Sequence, residues 1–131
     1  MPAATPVPSR PTDAELEILT ILWNRGPSTV REVHDEINRR KPAQYTTVLK
    51  TLQIMGAKNL VQRDEEQRAH IYAAMKPREW TQRQIAGDLL QRAFGGSARS
   101  LLMGALSARK ASRAELAEIR ELIDEYDKES Q

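Results

Sequence analysis

Gly26-Pro27 and Pro42 break the first half of this 131-residue chain into helices too short to stand alone, so they must share one core. Between and beyond those breaks the apolar residues recur at helical spacing. Thr12-Asp13-Ala14-Glu15 reads as a capping box that starts a helix carrying Leu16, Leu19, Leu22 and Trp23, ended near Asn24 by the Gly26-Pro27 stop. Ser28 and Thr29 cap a second helix with the stripe Val30, Val33 and Ile37, ended before Pro42. A third helix, from about Gln44 to Ala57, turns Val48, Leu52 and Met55 inward and leaves Thr46, Thr47, Lys50 and Gln53 on the opposite side. Asn59 suits a left-handed cap. After it Leu60–Arg63 and Arg68–Ala74 read as two strands around the polar turn Asp64-Glu65-Glu66-Gln67. Three short helices and a β-hairpin in this order predict a winged helix-turn-helix domain over residues 12–75.

The fold class expected for the whole chain is mainly α with a small β-hairpin. Residues 1–11 carry four prolines among small residues and read as a flexible N-terminal arm. Residues 76–131 read as a helical dimerisation domain: a helix from Lys76-Pro77 to Phe94 closed by Gly95-Gly96, a shorter one from Ser97, and a last one opened by a second capping box, Ser112-Arg113-Ala114-Glu115. Trp80, Leu89 and Phe94 lie on the first of these, Leu101 and Leu102 on the second. Leu116, Ile119, Ile123 and Tyr126 form a heptad-like seam on the third. Residues 76–110 hold seven basic and two acidic side chains, whereas 111–131 hold three basic and seven acidic, a contrast of +5 against −4. Those charges fit either helices exchanged between two copies or packing within one chain, and the dimer is the expectation adopted.

Net charge is only +2, so any nucleic-acid footprint must come from distribution. The distribution is uneven. Between Glu36 and Asp64 no acidic residue occurs, while Arg39, Arg40, Lys41, Lys50, Lys58 and Arg63 all fall there. A duplex carries a phosphate charge about every 1.7 Å, so a surface docking on it gains from cations and loses from carboxylates. Within this stretch Gln44, Tyr45, Thr46, Thr47 and Lys50 occupy the start and outer face of the third helix, the part that meets base edges in helix-turn-helix docking. Lys50 taken alone reads equally as part of a solvated face. Arg31 reads either as a phosphate contact or as the partner of Asp35 one turn on, and Arg68 as a wing contact opposed by the acids at the hairpin tip.

Other chemistry finds little support. With no cysteine there is neither a disulfide nor a thiolate site, and His34 and His70, far apart in sequence, read as structural; no metal or cofactor is expected. No nucleophile elbow, phosphate loop or paired-carboxylate cluster occurs, which argues against an enzyme and against a small-molecule substrate. The absence of an apolar stretch of membrane-spanning length makes a cytoplasmic protein the expectation. The alternative to a DNA-binding homodimer is a winged-helix module that uses its third helix for protein contact.

Thr12 to Arg25 (TDAELEILTILWNR), Thr29 to His34 (TVREVH), Tyr45 to Val61 (YTTVLKTLQIMGAKNLV) and Arg68 to Tyr72 (RAHIY) resemble the penicillinase-repressor family, BlaI/MecI/CopY. The stretch Gly95 to Ile123, with SLLMGAL and ELAEIREL, resembles that family's dimerisation helices. The resemblance implies a homodimeric transcriptional repressor on a palindromic operator in double-stranded DNA, with contacts on Thr46, Thr47 and Lys50. It also implies a membrane antirepressor peptidase as partner and a candidate cleavage segment at Ser100 to Leu106, where Gly104-Ala105 stands in place of the family's scissile Asn-Phe pair. The cysteine cluster of the copper-responsive branch is missing, so metal sensing by that route is not expected.

Overall fold

The computed structural model describes residues 10–66 and 68–130. The N-terminal arm, up to residue 9, and Gln67 of the hairpin turn lie outside them. The elements run α1 (Asp13–Arg25), β1 (Ser28–Thr29), α2 (Val30–Asn38), α3 (Tyr45–Ala57), β2 (Val61–Asp64), β3 (Ile71–Ala74), α4 (Arg78–Phe94), α5 (Ala98–Ala108) and α6 (Arg113–Glu129). The fold class is mainly helical with one small antiparallel sheet, as expected for a winged helix.

Two of the helix starts are held by reciprocal caps. Thr12 Oγ1 accepts from Glu15 N at 3.2 Å while Glu15 Oε1 accepts from Thr12 N at 2.9 Å. Thr29 and Glu32 repeat the arrangement at the start of α2, at 3.2 and 2.9 Å. Each box satisfies two backbone donors that a helix start leaves without partners. Gly26, at φ 91°, ends α1 in a conformation that L side chains rarely adopt, and its N–H donates to Leu22 O at 2.8 Å. Asn59, at φ 62°, closes α3 as expected: Leu60 N reaches back to Met55 O at 2.9 Å.

The sheet has three strands rather than the two of a plain hairpin, in the order β1-β3-β2 and antiparallel throughout. Ser28 pairs with Tyr72 and Thr29 with Ile71, while Val61 to Asp64 pair with Ala74 to Ile71. The extra strand has a local cause. An N-cap residue sits in the extended region, so Thr29, at φ −78° and ψ 164°, both caps α2 and pairs with β3. The hairpin arms are also placed differently from the expectation. Its second strand begins at Ile71, so Arg68, Ala69 and His70 belong to the tip loop. Leu60 precedes the first strand, yet its carbonyl still accepts from Met75 N at 3.0 Å.

Two compact units divide between Ala86 and Gly87, inside α4, rather than at residue 76. The opening of α4 belongs to the first unit for visible reasons. Trp23 Nε1 donates to Lys76 O at 3.0 Å, the Arg78 guanidinium lies 5.7 Å from the Trp23 ring centre and donates to Asn24 Oδ1, and Thr81 is buried. The core of the first unit is Ile18, Leu19, Ile21, Leu22, Val30, Val33, Ile37, Val48, Leu52, Met55, Val61 and Tyr72. Leu52, Met55 and Val33 are wholly enclosed, so α3 presses one face against α1 and α2 and is free on the other.

The second unit is built differently. Neither α5 nor α6 contains a buried residue. Phe94, Leu101, Leu116 and Ile119 are half-buried, the Phe94 ring lying over Gly104. Leu89, Leu102, Leu122, Ile123 and Tyr126 are exposed, the last three by 52%, 51% and 65%. The second capping box is half made: Ser112 Oγ accepts from Glu115 N at 3.0 Å, but the Glu115 carboxylate turns to Arg109, at 3.0 and 3.2 Å.

Candidate nucleic-acid interface

The outer face of α3 carries the residues that the sequence singled out. Gln44, Tyr45, Thr46, Thr47, Lys50 and Gln53 are all exposed, backed by the buried Val48, Leu52 and Met55. Gln44 occupies the N-cap and makes no side-chain cap, and the first turn holds no acid. The start of α3 therefore presents unsatisfied N–H groups and the positive end of the helix dipole, unlike α1 and α2, whose starts are closed by threonine and glutamate.

The turn leading into α3 is held at one residue. Ala43 N donates to Asn38 Oδ1 at 3.1 Å, and Ala43 O lies 2.8 Å from His34 Nε2. Tyr45 then packs its ring edge-on to His34 at 5.9 Å between centres and lies under the Arg31 guanidinium at 5.2 Å. Among the described residues Arg31 forms no pair with Asp35, which is engaged by His34 Nδ1 at 3.2 Å. Stacking on Tyr45 holds the guanidinium at the mouth of α3. Nothing in the local sequence pattern signalled the Asn38 and His34 bonds to Ala43, beyond an Asn at a helix end four residues before a proline.

The acid-free stretch is less free in space than in sequence. Lys41 pairs with Glu17 at 3.2 Å, Arg39 with Glu36 at 3.2 Å, and Arg63 with Glu65. Lys58, read from sequence as a DNA contact, is drawn inward: its Nζ is 3.0 Å from both oxygens of Glu15, a carboxylate only 3% exposed. That correction has a plain cause. A carboxylate enclosed by α1 and α3 requires a cation, and Lys58 at the end of α3 is the one that reaches it. Burial pushes the Glu15 carboxyl up, and the Thr12 N–H together with the Lys58 ammonium outweighs this and holds it below the ordinary 4.5. Among the described residues, Arg40 and Lys50 are the cations of the stretch that form no ion pair.

Between α3 and the hairpin lies a cleft of about 510 Å³ whose lining includes Arg31, Tyr45, Gln53, Arg63, Arg68 and His70 and no carboxylate. Two of the acids at the hairpin tip are engaged locally, Glu65 by Arg63 and Asp64 Oδ1 by the Glu66 N–H at 2.9 Å. Arg68 is therefore placed beside α3, and Arg63 and His70 join it there, which alternation along a strand could not reveal. In the second unit Trp80 is not among the residues: it lies in the first unit, half-buried, with the Lys76 ammonium 5.2 Å from its ring. Gly104 and Ala105 sit within α5, both exposed.

No group of three or more His, Cys, Asp or Glu side chains is arranged to hold a metal among the described residues. No helix among them is long and apolar enough to cross a membrane.

Comparison with known proteins agrees with the resemblance. Transcriptional regulator BlaI from two strains of Mycobacterium tuberculosis is 36% identical over 88 residues, 66% of this chain; the chain spans 64% of the length of those relatives. Penicillinase repressor from Staphylococcus aureus is 19% identical over 115 residues, covering 88% of this chain and 91% of its own. Among solved structures, an ArsR-like transcriptional regulator from Rhodococcus sp. RHA1 aligns over 77% of this chain and 86% of its own, with 19% identity and a TM-score of 0.42. The profile of the penicillinase repressor family matches residues 11–125, and the chain belongs to that family.

Proposed function

We propose that the chain is a transcriptional repressor that binds a palindromic operator in double-stranded DNA as a homodimer, with α3 in the major groove. The observation that carries the reading is the state of α3. Its buried face is locked into the core, its N-terminus is uncapped and free of acids, and Gln44, Tyr45, Thr46, Thr47 and Lys50 stand exposed on its outer side. Threonines suit a thymine methyl or a hydrogen bond, and lysine suits guanine or phosphate. Arg31 and Arg68 flank the helix as backbone contacts, and relatives named as a transcriptional regulator and a penicillinase repressor support the same reading.

The homodimer is supported by the second unit. Helices that enclose nothing expose apolar area to water at about 25 cal/mol per Å², and covering Leu89, Leu102, Leu122, Ile123 and Tyr126 with a second copy removes that cost. Phe94, Leu101, Leu116 and Ile119 are half-buried within the unit. A dimer presents two recognition helices to half-sites about 34 Å apart or a multiple of it, which makes the second contact effectively intramolecular. Cleavage at Gly104-Ala105 by a peptidase would split α5, detach α6 from the rest and so release DNA.

The test is binding to the duplex upstream of the chain's own gene, titrated at several salt concentrations beside scrambled DNA. The expected result is preference for the native duplex by about a thousandfold, a steep fall with salt, and loss of the preference in Lys50→Ala and Thr47→Ala. Weak and equal binding to both duplexes, with no site recovered from genome-wide selection, would replace this reading with protein contact through α3.

A further inference from the structure

We propose that His34 is a positioning residue for α3: in its doubly protonated form it pins the turn between α2 and α3 and so fixes how α3 meets a duplex. The proposal rests on the DNA-binding reading above and adds to it a proton that no feature of the recognition face itself supplies.

Each ring nitrogen of His34 faces an oxygen. Nε2 lies 2.8 Å from the carbonyl oxygen of Ala43, and Nδ1 lies 3.2 Å from Oδ1 of Asp35. Both oxygens are acceptors. A neutral imidazole has one N–H, so in either tautomer one nitrogen turns a lone pair toward an oxygen, whereas the imidazolium donates to both. The ring is largely enclosed, with 15% of its side chain exposed, whereas Asp35 is 60% exposed, so the mismatch is least relieved by water on the Ala43 side.

What the ring holds matters because of where it lies. Ala43 is the residue that Asn38 grips from its N–H side, and Gln44 and Tyr45 follow directly as the N-cap and first residue of α3. The Tyr45 ring touches His34 edge-on, with the Arg31 guanidinium on the same ring. The charged and titratable groups about His34 are thus Asp35 and Arg31 from α2 and the Tyr45 phenol from α3. Asp35 is in direct contact with His34 at 3.2 Å, and Arg31 shares the Tyr45 ring with it. The turn itself contributes a carbonyl and an amide, neither charged. Protonation secures Ala43 and Asp35 together and with them the geometry of the first turn of α3.

Histidine is the side chain whose charge changes between about pH 8 and about pH 5, so operator affinity should carry that signature. At constant ionic strength, wild type should tighten on the operator roughly tenfold between about pH 8 and about pH 6. His34→Gln, whose amide donates to Ala43 but gains no proton, should show a flat profile near the wild-type value at the alkaline end. In the free full-length protein, nitrogen NMR should find both His34 ring N–H groups at the acid end, with the backbone amides of Ala43, Gln44 and Tyr45 shifting at the same midpoint. Should operator affinity stay flat with pH while Lys50→Ala still loses specific binding, His34 has no such role and the DNA reading stands. Amides of Ala43 to Tyr45 that ignore the His34 titration would overturn the proposal without reference to DNA, and failure to bind any duplex specifically would overturn both.

Discussion

Glu15 closes the start of α1 and, with the same carboxylate, holds Lys58 at the end of α3, 43 residues away. A pair so enclosed gives little net stability as a pair, yet removing one partner is costly because the other remains in place without compensation. Glu15→Gln keeps the helix cap but not the charge, and should lower stability by about 2 kcal/mol at neutral pH, read by urea unfolding. The pH dependence has a defined sign. Because the folded carboxyl titrates below its ordinary 4.5, its contribution is present above that value and is lost as pH falls through the lower, folded one. Wild type and Glu15→Gln should therefore converge in acid, and a gap that persisted there would mean that packing and not charge distinguishes them. The ion pair was not legible beforehand, since no local pattern links residues so far apart; the sequence supplied the cap and the cation separately.

Among the elements, those bounded by their own chemistry were legible. Thr12 and Glu15, Gly26, Asn59 and the Gly95-Gly96 pair mark ends that the backbone needs regardless of what packs nearby. Elements that exist only through a distant partner were not. β1 is two residues long and is a strand only because Ile71 and Tyr72 lie beside it. The start of β3 is likewise set by pairing rather than by alternation, which is why Arg68 and His70 fall in the tip loop. Thr29 joins both kinds of element. Thr29→Val keeps a β-branched strand residue and removes the oxygen that accepts from Glu32 N, so it should cost about 1 kcal/mol, a fall in melting temperature of roughly 4–8 °C for a domain of this size. Thr29→Ser should restore most of it. If both variants melted like wild type, the cap would not be what holds the start of α2.

For the whole molecule, the contrast between the two units organises the rest. The first has a closed core that supports α3, and the positions on its outer face were readable because burial of Val48, Leu52 and Met55 determines what lies opposite. In the second, the apolar seam on α6 was readable, but not its exposure, and the boundary within α4 depends on Trp23 and Arg78 meeting across the fold. Ile123→Glu places a charge on a surface proposed to be covered by a second copy. Sedimentation should show a shift from dimer to monomer, and operator binding should lose its steepness while the thermal unfolding of the first unit is unchanged. An Ile123→Glu protein that remained dimeric would place the interface elsewhere.

The proposed covering of α5 and α6 by a second copy also bears on dosage. At low abundance the concentration of pairs follows the square of the number of chains, so halving synthesis removes about three-quarters of them. A regulator assembled this way responds to its own supply more sharply than a self-sufficient fold would, and a cell diluting it by growth would cross from silence to expression within few divisions.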